Sequence, residues 1–174
     1  MSYRQYASAD GEGVSIVPIG GAQAIGHFLE LFGPHGLDVR LAGLCDAGEE
    51  TVVRRALERA GLGSNLTRAD LEGLGFYVCD ADLEDELIRA LGAAAVERIV
   101  ADQGWLGSFR TFQTQMAWRG RPVEDQLHRF LRSSSRRGLR AVVAMTDALD
   151  LACVPRVLDG VLAHALSAGD TTNE

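Results

Sequence analysis

The sequence predicts an α/β fold, with a parallel sheet covered by helices on both faces and a helical region after it. Two apolar runs, at residues 41–45 and 75–79, each end in an acidic turn, and a helical spacing of apolar residues follows each turn. Continuous runs of this kind are typical of strands buried in a parallel sheet. Because ligands bind beyond the carboxyl ends of such strands, both acidic turns are candidates for a functional site.

The composition is that of a folded protein with an acidic balance. With 174 residues, 47% of them hydrophobic, the chain can bury one core, and its formal net charge is −7. That charge argues against a protein that coats nucleic acid by general attraction. It is compatible with an enzyme that holds metal ions against a phosphate, because such a site is itself acidic.

Cysteine usage and hydropathy indicate the cellular compartment of the protein. The three cysteines, Cys45, Cys79 and Cys153, have neither the even number of a disulfide framework nor the short spacing of a zinc site. No apolar run is long enough to cross a bilayer, and the N-terminus has no signal-peptide pattern. The sequence therefore predicts a cytoplasmic protein without membrane contact.

Taken in order, the chain predicts a disordered leader at 1–13, an α/β core at 14–92, a helical region at 93–167 and a disordered tail at 168–174. Residues 14–19 are rich in β-branched side chains and predict a strand, and the Gly20-Gly21 turn after it leads into a helix. That turn matches neither the dinucleotide fingerprint nor a Walker loop, so no nucleotide site is predicted.

Two stretches of the helical region need an interpretation. Residues 133–138, SSSRRG, predict a polar loop. Residues 105–121 carry aromatic and arginine side chains that can stack on bases, but ordinary core with an arginine rim is the preferred interpretation. His27 and His128 lie on predicted helices beside apolar neighbours, and no functional role is assigned to them.

The first acidic turn follows residues 41–45 and contains Asp46, Glu49 and Glu50 around Gly48. Carboxylates gathered at this point suit a hard divalent cation, which prefers oxygen ligands. The alternative is that Asp46 caps the next helix while the two glutamates favour its positive end. Taken alone, this turn favours the capping interpretation.

The second acidic turn, residues 80–86, has five carboxylates in seven residues. Asp80, Asp82 and Glu84 fall where the predicted strand becomes a helix, again at a carboxyl end. Asp85 and Glu86 are predicted to face solvent, because the apolar stripe of the helix leaves no room for every acid to point inward. Two separate acidic turns shift the balance towards a functional site.

Three segments together resemble a known family. They are GGAQAIGHFLELFGPHGLDVRLAGLCDAGEE, then GFYVCDADLEDELIRALG, then the arginine-rich and aromatic-rich helical tail, and they cover almost everything from residue 14 to about residue 166. The chain resembles the TOPRIM domain of the OLD (overcoming lysogenization defect) family of ATP-dependent endonucleases. The resemblance implies a Rossmann-like parallel sheet with helices on both faces.

The resemblance also implies a site and a reaction. Asp46 matches the first aspartate of the family's DxD-type turn, and Glu84 matches the glutamate of its later DLE-type segment, so both are implied as catalytic. The implied metal ligands are Asp46, Glu49, Glu50, Asp82 and Glu84. The implied activity is hydrolysis of DNA phosphodiester bonds with Mg²⁺ or Mn²⁺.

The chain departs from the family pattern at three functional positions. No apolar strand ending in the family's first glutamate precedes Val14, Gly48 replaces the second aspartate of the turn, and the family's late lysine has no match. Arg136 and Arg137 stand in roughly the lysine's region and are predicted to contact nucleic acid. The family's ATPase domain is implied as a partner in another chain.

These departures leave two alternatives ahead of a third, a plain α/β domain whose acidic turns are only helix caps and solvated ends, which the resemblance disfavours. The first is a metal-dependent nuclease domain that is weak or inactive alone. The second is a degenerate scaffold that binds a protein partner or nucleic acid without catalysis. In either case, the sheet would expose the edge and the face that the absent first strand covers in the family, so a homodimer is predicted.

Overall fold

The computed structural model describes residues 14–167, so the predicted leader at 1–13 and the predicted tail at 168–174 lie outside the described residues. The chain divides into two compact units. Of the described residues, the first unit contains 14–79 and 156–167, and the second contains Asp80–Pro155. The structure thus divides the chain after Cys79, whereas the sequence prediction placed a boundary after residue 92.

The helices are α1 (Ile25–Phe32), α2 (Glu50–Arg59), α3 (Arg68–Gly73), α4 (Leu83–Leu91), α5 (Ala93–Asp102), α6 (Leu106–Gln113), α7 (Val123–Arg132), α8 (Ser135–Asp147) and α9 (Arg156–Leu166), and the strands are β1 (Gly43–Cys45) and β2 (Phe76–Val78). Short 3₁₀ turns occupy Ala22–Ala24, Ala47–Glu49 and Leu151–Cys153. No helix among residues 14–167 is long and apolar enough to span a membrane.

The first unit contains a parallel pair of strands. β1 pairs with β2 in a register that places Gly43 opposite Phe76 and Cys45 opposite Val78. The pairing continues one step further, where the Cys79 amide donates to the Cys45 carbonyl at 2.9 Å. The predicted mixed α/β class is confirmed, and the two strands are parallel as predicted, while the structure adds that they are adjacent.

The predicted strand at residues 14–19 is wrong. Among these residues only Ser15 makes an isolated bridge, and the rest have no regular secondary structure. Ile16 is 58% exposed and Val17 is also exposed, whereas Ile19 packs against the core, so the middle of the predicted strand is not covered. Pro18 also lacks the amide that a ladder needs, which limits pairing at this point.

The core of the first unit packs helices around the two strands. Leu57 of α2 and Leu71 of α3 are fully buried, and Val78 of β2 is 1% exposed. Helix α9 comes close to β2 through Gly160, where an added Cβ would lie 2.3 Å from the Tyr77 ring. A larger residue at this glycine would therefore push the helix away from the strand.

The second unit is helical, with a core drawn from α4 to α8. Fully buried side chains come from each of these helices, namely Leu87, Val96, Val100, Phe109, Leu127, Leu131 and Met145. Phe109 and Phe112 contact Phe130 at centroid distances of 5.1 and 5.7 Å. The interpretation of the aromatic stripe as core is confirmed, except for Met116, which lies beyond the end of α6 and is 95% exposed.

The predicted loop at residues 133–138 is confirmed only for Ser133 and Ser134 and is wrong from Ser135 onward. Helix α8 begins at Ser135, and Gly138 is buried inside the helix. An added Cβ at Gly138 would lie 3.2 Å from Glu84 Oε1, so this glycine allows α8 to approach α4 closely. The serines and the glycine that suggested a loop therefore mark a helix start and a packing contact.

Candidate functional site

The acidic turn after β2 is organised by a buried carboxylate, Asp82. Asp82 has an extended backbone conformation, with φ of −156°, and its side chain accepts a hydrogen bond from the Asp85 amide at 3.0 Å. It is thus the N-cap of α4, a position that favours aspartate because the first helical amides lack intrahelical partners. The residue is only 1% exposed, so its charge requires further partners.

Those partners come from α7. His128 Nε2 lies 2.9 Å from Asp82 Oδ1 and 2.8 Å from Oδ2, and Arg132 Nη1 donates to the same Oδ2. The two side chains are four residues apart, which places them on one face of a helix. Because Asp82 is a carboxylate, His128 Nε2 is the donor in this contact. The turn and α7 are therefore joined by a charge-assisted cluster, Asp82–His128–Arg132, in which the carboxylate is buried and the Arg132 side chain reaches the surface.

A second cluster in the same turn surrounds Arg89 of α4. Glu86 is 6% exposed, and its Oε1 accepts from the Asp80 amide at 2.8 Å. Arg89 contacts Glu86 at 2.8 Å, Asp85 at 2.9 Å and Asp80 at 3.2 Å. The hydrogen bond that Arg89 Nε donates to Asp85 Oδ2 is the main cause that raises the pKa of the Arg89 guanidinium. The predicted solvent-facing position of Glu86 is wrong, because this side chain folds back onto the turn.

Glu84 has a different environment from Asp82. It lies in a groove of about 490 Å³, which is lined by Leu83, Glu84, Arg132, Ser134, Ser135, Gly138, Leu139 and Val142. The groove includes the start of α8, whose first amides favour a carboxylate nearby. Glu84 is half-buried, and its position is set by the close approach of α8 at Gly138.

The acidic turn after β1 belongs to the first unit and keeps its carboxylates nearer to solvent. Asp46 precedes the short 3₁₀ turn but makes no side-chain capping bond to it, so the predicted capping role is not seen. Glu50 pairs with Arg68 at 2.7 Å and with Arg54 at 4.0 Å. This turn has no counterpart to the buried Asp82.

The charge of this turn acts on Cys45. Burial and then the nearby carboxylates of Glu49, Asp46 and Glu50 raise the pKa of the Cys45 thiol to about 11. The thiol therefore stays protonated at neutral pH and is a poor nucleophile. Glu49, Asp46 and Glu50 thus add to the effect of burial, and their negative charge gathers at the carboxyl end of β1.

The carboxylates fit a metal site poorly as they are arranged. Among residues 14–167, no three His, Cys, Asp or Glu side chains come together in a way that could hold a metal ion. Both oxygens of Asp82 already accept bonds from α7, and Glu50 is paired with arginine. A cation bound at Asp82 would have to displace a guanidinium and an imidazole. The implied metal ligands therefore remain a prediction.

The two predicted nucleic-acid ligands differ in their roles. Arg136 is exposed on the first turn of α8. Arg137 Nη1 instead donates to the Phe130 carbonyl at 2.9 Å and to Ser133 Oγ at 2.8 Å, and its guanidinium lies 4.1 Å from the Phe130 ring centroid. Arg137 thus joins α7 to α8, while Arg136 faces outward.

Charge is strongly segregated within the second unit. Residues 80–104 contain seven carboxylates and two arginines, a net charge of −5, whereas residues 105–145 contain eight arginines and two carboxylates, a net charge of +6. The exposed arginines of the basic part lie on α6 to α8 and their connections, namely Arg110, Arg119, Arg121, Arg129, Arg132, Arg136 and Arg140. The chain as a whole is acidic, but this part of it is not.

Sequence reasoning missed the importance of His128 and Arg132. Their spacing of four residues was a visible signal that both face the same side of α7. The sequence did not show that this side faces Asp82, which is 46 residues away from His128. Comparisons with protein-family models, curated proteins and solved structures find no match to this chain.

Proposed function

We propose that the chain is a TOPRIM-like scaffold that binds nucleic acid through helices α6 to α8 and does not cut it. Three observations support this proposal. The sequence resembles the TOPRIM domain at both acidic turns, the strands before those turns are adjacent and parallel, and a net charge of +6 is concentrated in residues 105–145.

The observation that carries the proposal is the pairing of Asp82 with α7. In a metal-dependent nuclease, a carboxylate at this position would present its oxygens to a cation. Here the oxygens hold His128 and Arg132, so the turn anchors the helix that bears the arginines. Removing a buried partner of this kind is costly, which favours a structural role for the turn.

The basic part offers the chemistry that a phosphate backbone requires. Among the described residues, neither Arg129 nor Arg136 has a carboxylate partner, and both are exposed. Arginine donates several hydrogen bonds in a fixed geometry that matches phosphate oxygens. Neutralising phosphates releases counterions, so such binding is expected to weaken steeply with salt.

Fluorescence anisotropy of a labelled DNA oligonucleotide tests this function. We expect binding at low salt that falls as salt rises, and about tenfold weaker binding for the double variant Arg129→Gln/Arg136→Gln. Arg55→Gln, which changes an exposed arginine of α2 in the first unit, is the matched control and should bind like the parent.

Two outcomes would contradict the proposal. The first is the absence of binding to both single-stranded and double-stranded DNA at low salt. The second is affinity that falls equally in the Arg55→Gln control, since the basic helices would then have no special role. Circular dichroism of each variant shows whether its helices are intact.

A metal-dependent nuclease is the second candidate function, and one observation favours it. The negative potential around Cys45, which arises in part from Glu49 and Asp46, lies at the carboxyl end of β1, where parallel sheets bind their ligands. Plasmid DNA incubated with Mn²⁺ tests it. Cleavage that Asp46→Asn and Glu84→Gln abolish, and that Glu30→Gln on the exposed face of α1 retains, would establish the nuclease and overturn the scaffold.

A further inference from the structure

Helix α8 has an exposed stripe that the proposed function does not explain. Leu139 is 69% exposed and Val143 is 55% exposed, although both lie in the middle of a 13-residue helix. Exposed apolar residues at a spacing of four form one continuous patch on a helix. A patch of this kind on a folded unit marks a contact surface.

The charges along the stripe are polarised. Arg136 lies one turn before Leu139, and Asp147 lies one turn after Val143, so the stripe runs from a basic end to an acidic end. Thr146 is also exposed beside Asp147. Positions 136, 139, 143 and 146 are separated by three, four and three residues. This is the spacing of the residues that form the contact seam between two packed helices.

Two copies of this stripe are complementary to each other when the two α8 helices run antiparallel. When Leu139 of one helix faces Val143 of a second α8, the same register places Arg136 opposite Thr146 and beside Asp147. The unlike charges then meet at both ends of the seam, and the helix dipoles oppose each other favourably. A parallel pair would instead place like charges together, because both basic ends would coincide.

We propose that the α8 stripe is the contact surface of a homodimer, in which two copies of α8 pack antiparallel about a two-fold axis. The axis passes between Leu139 and Val143, so each apolar contact and each charge pair occurs twice, as closed two-fold symmetry requires. The groove that contains Leu83 and Val142 borders Leu139 and extends the apolar area of the contact. This surface is different from the sheet edge that the sequence analysis predicted as the reason for a dimer.

The size of the contact surface determines the affinity of the two copies for each other. A helix of 13 residues is about 20 Å long, and one such helix per copy gives an interface at the small end of specific contacts. We therefore expect a dissociation constant on the order of micromolar and a dimer that dissociates on dilution.

Sedimentation equilibrium over a range of concentrations tests the proposal. The parent protein should show a monomer–dimer equilibrium, and Leu139→Asp should be monomeric at the same concentrations, because two buried like charges would meet near the axis. Leu151→Asp, at a 90% exposed site outside α8, is the matched control and should dimerise like the parent.

Exchanging the charges at positions 136 and 147 distinguishes a dimer in this register from non-specific hydrophobic association. Arg136→Asp and Asp147→Arg each place like charges together at both ends, and each should weaken the dimer by about tenfold. The double variant restores unlike pairs and should recover the parent's affinity. A monomeric parent protein, or a double variant as weak as the single ones, would overturn the proposal.

Discussion

The two acidic turns have similar sequences but different environments. After β2, Asp82 and Glu86 are nearly inaccessible, at 1% and 6% exposure, and their oxygens accept bonds from α7, Arg89 and a backbone amide. After β1, Glu50 pairs with arginines near the surface, and the carboxylates of the turn add to the effect of burial on the pKa of Cys45. The comparison teaches that an acid-rich turn takes its role from distant partners rather than from its own residues.

The largest expected effect concerns Asp82. Asp82→Ala removes the N-cap of α4 and leaves His128 and Arg132 without their buried partner, so we expect a loss of about 3 kcal/mol in the free energy of unfolding. Urea unfolding followed by circular dichroism measures it. The matched control is Asp80→Ala in the same turn, whose carboxylate is 71% exposed and pairs with Arg89. We expect that variant to lose less than about 1 kcal/mol.

A smaller loss of unfolding free energy is expected at Glu86. Comparing it with the loss at Glu50 tests the difference between the turns after β2 and after β1. Glu86→Ala leaves the Asp80 amide without its acceptor and should cost about 1–2 kcal/mol. Glu50→Ala removes a surface ion pair with Arg68 and should cost less than about 1 kcal/mol. Equal losses in the two unfolding experiments would mean that the two turns do not differ as described.

The smallest effect appears only at alkaline pH and concerns the turn after β1. Because the folded-state pKa of Cys45, about 11, lies above its ordinary value of 9.0, the folded state favours the neutral thiol. The stabilisation is complete below pH 9 and is lost as the pH rises through 11. Cys45→Ala should therefore reduce the fall in unfolding free energy between about pH 8 and about pH 10.5.

A matched variant at the exposed thiol, Cys153→Ala, controls for the other groups that titrate in this range. It should leave the alkaline fall unchanged. If Cys45→Ala also leaves it unchanged, the carboxylates after β1 do not create the negative potential on which the nuclease alternative depends.

The parts of the fold that depend on local patterns could be predicted from the sequence. The apolar runs before the acidic turns become adjacent parallel strands, and the spacing of Val53, Ala56 and Leu57 becomes the buried face of α2. These predictions hold because the period of apolar residues reports directly which face is covered. The strand predicted at 14–19 does not form, and the β-branched side chains in its middle, Ile16 and Val17, are exposed.

Long-range pairing explains why the candidate site was harder to predict. Asp82 was predicted as a metal ligand from its position after a strand, and nothing near it in the sequence indicated its partners on α7. His128 received no role for the same reason, since a lone histidine on a helix gives no sign of which residue it faces. The loop predicted at 133–138 failed from Ser135 onward because Gly138 serves a close contact with Glu84 rather than a turn.

Thermal unfolding in the presence of Mn²⁺ tests the central claim, that Asp82 holds α7 and does not bind a metal. A ligand that binds only the folded state raises the unfolding midpoint, so any cation at Asp82 would be detected. We expect Asp82→Asn to lower the midpoint by the same amount in excess Mn²⁺ and in EDTA. A midpoint that Mn²⁺ raises in the parent protein, and that Asp82→Asn makes insensitive to Mn²⁺, would contradict the account.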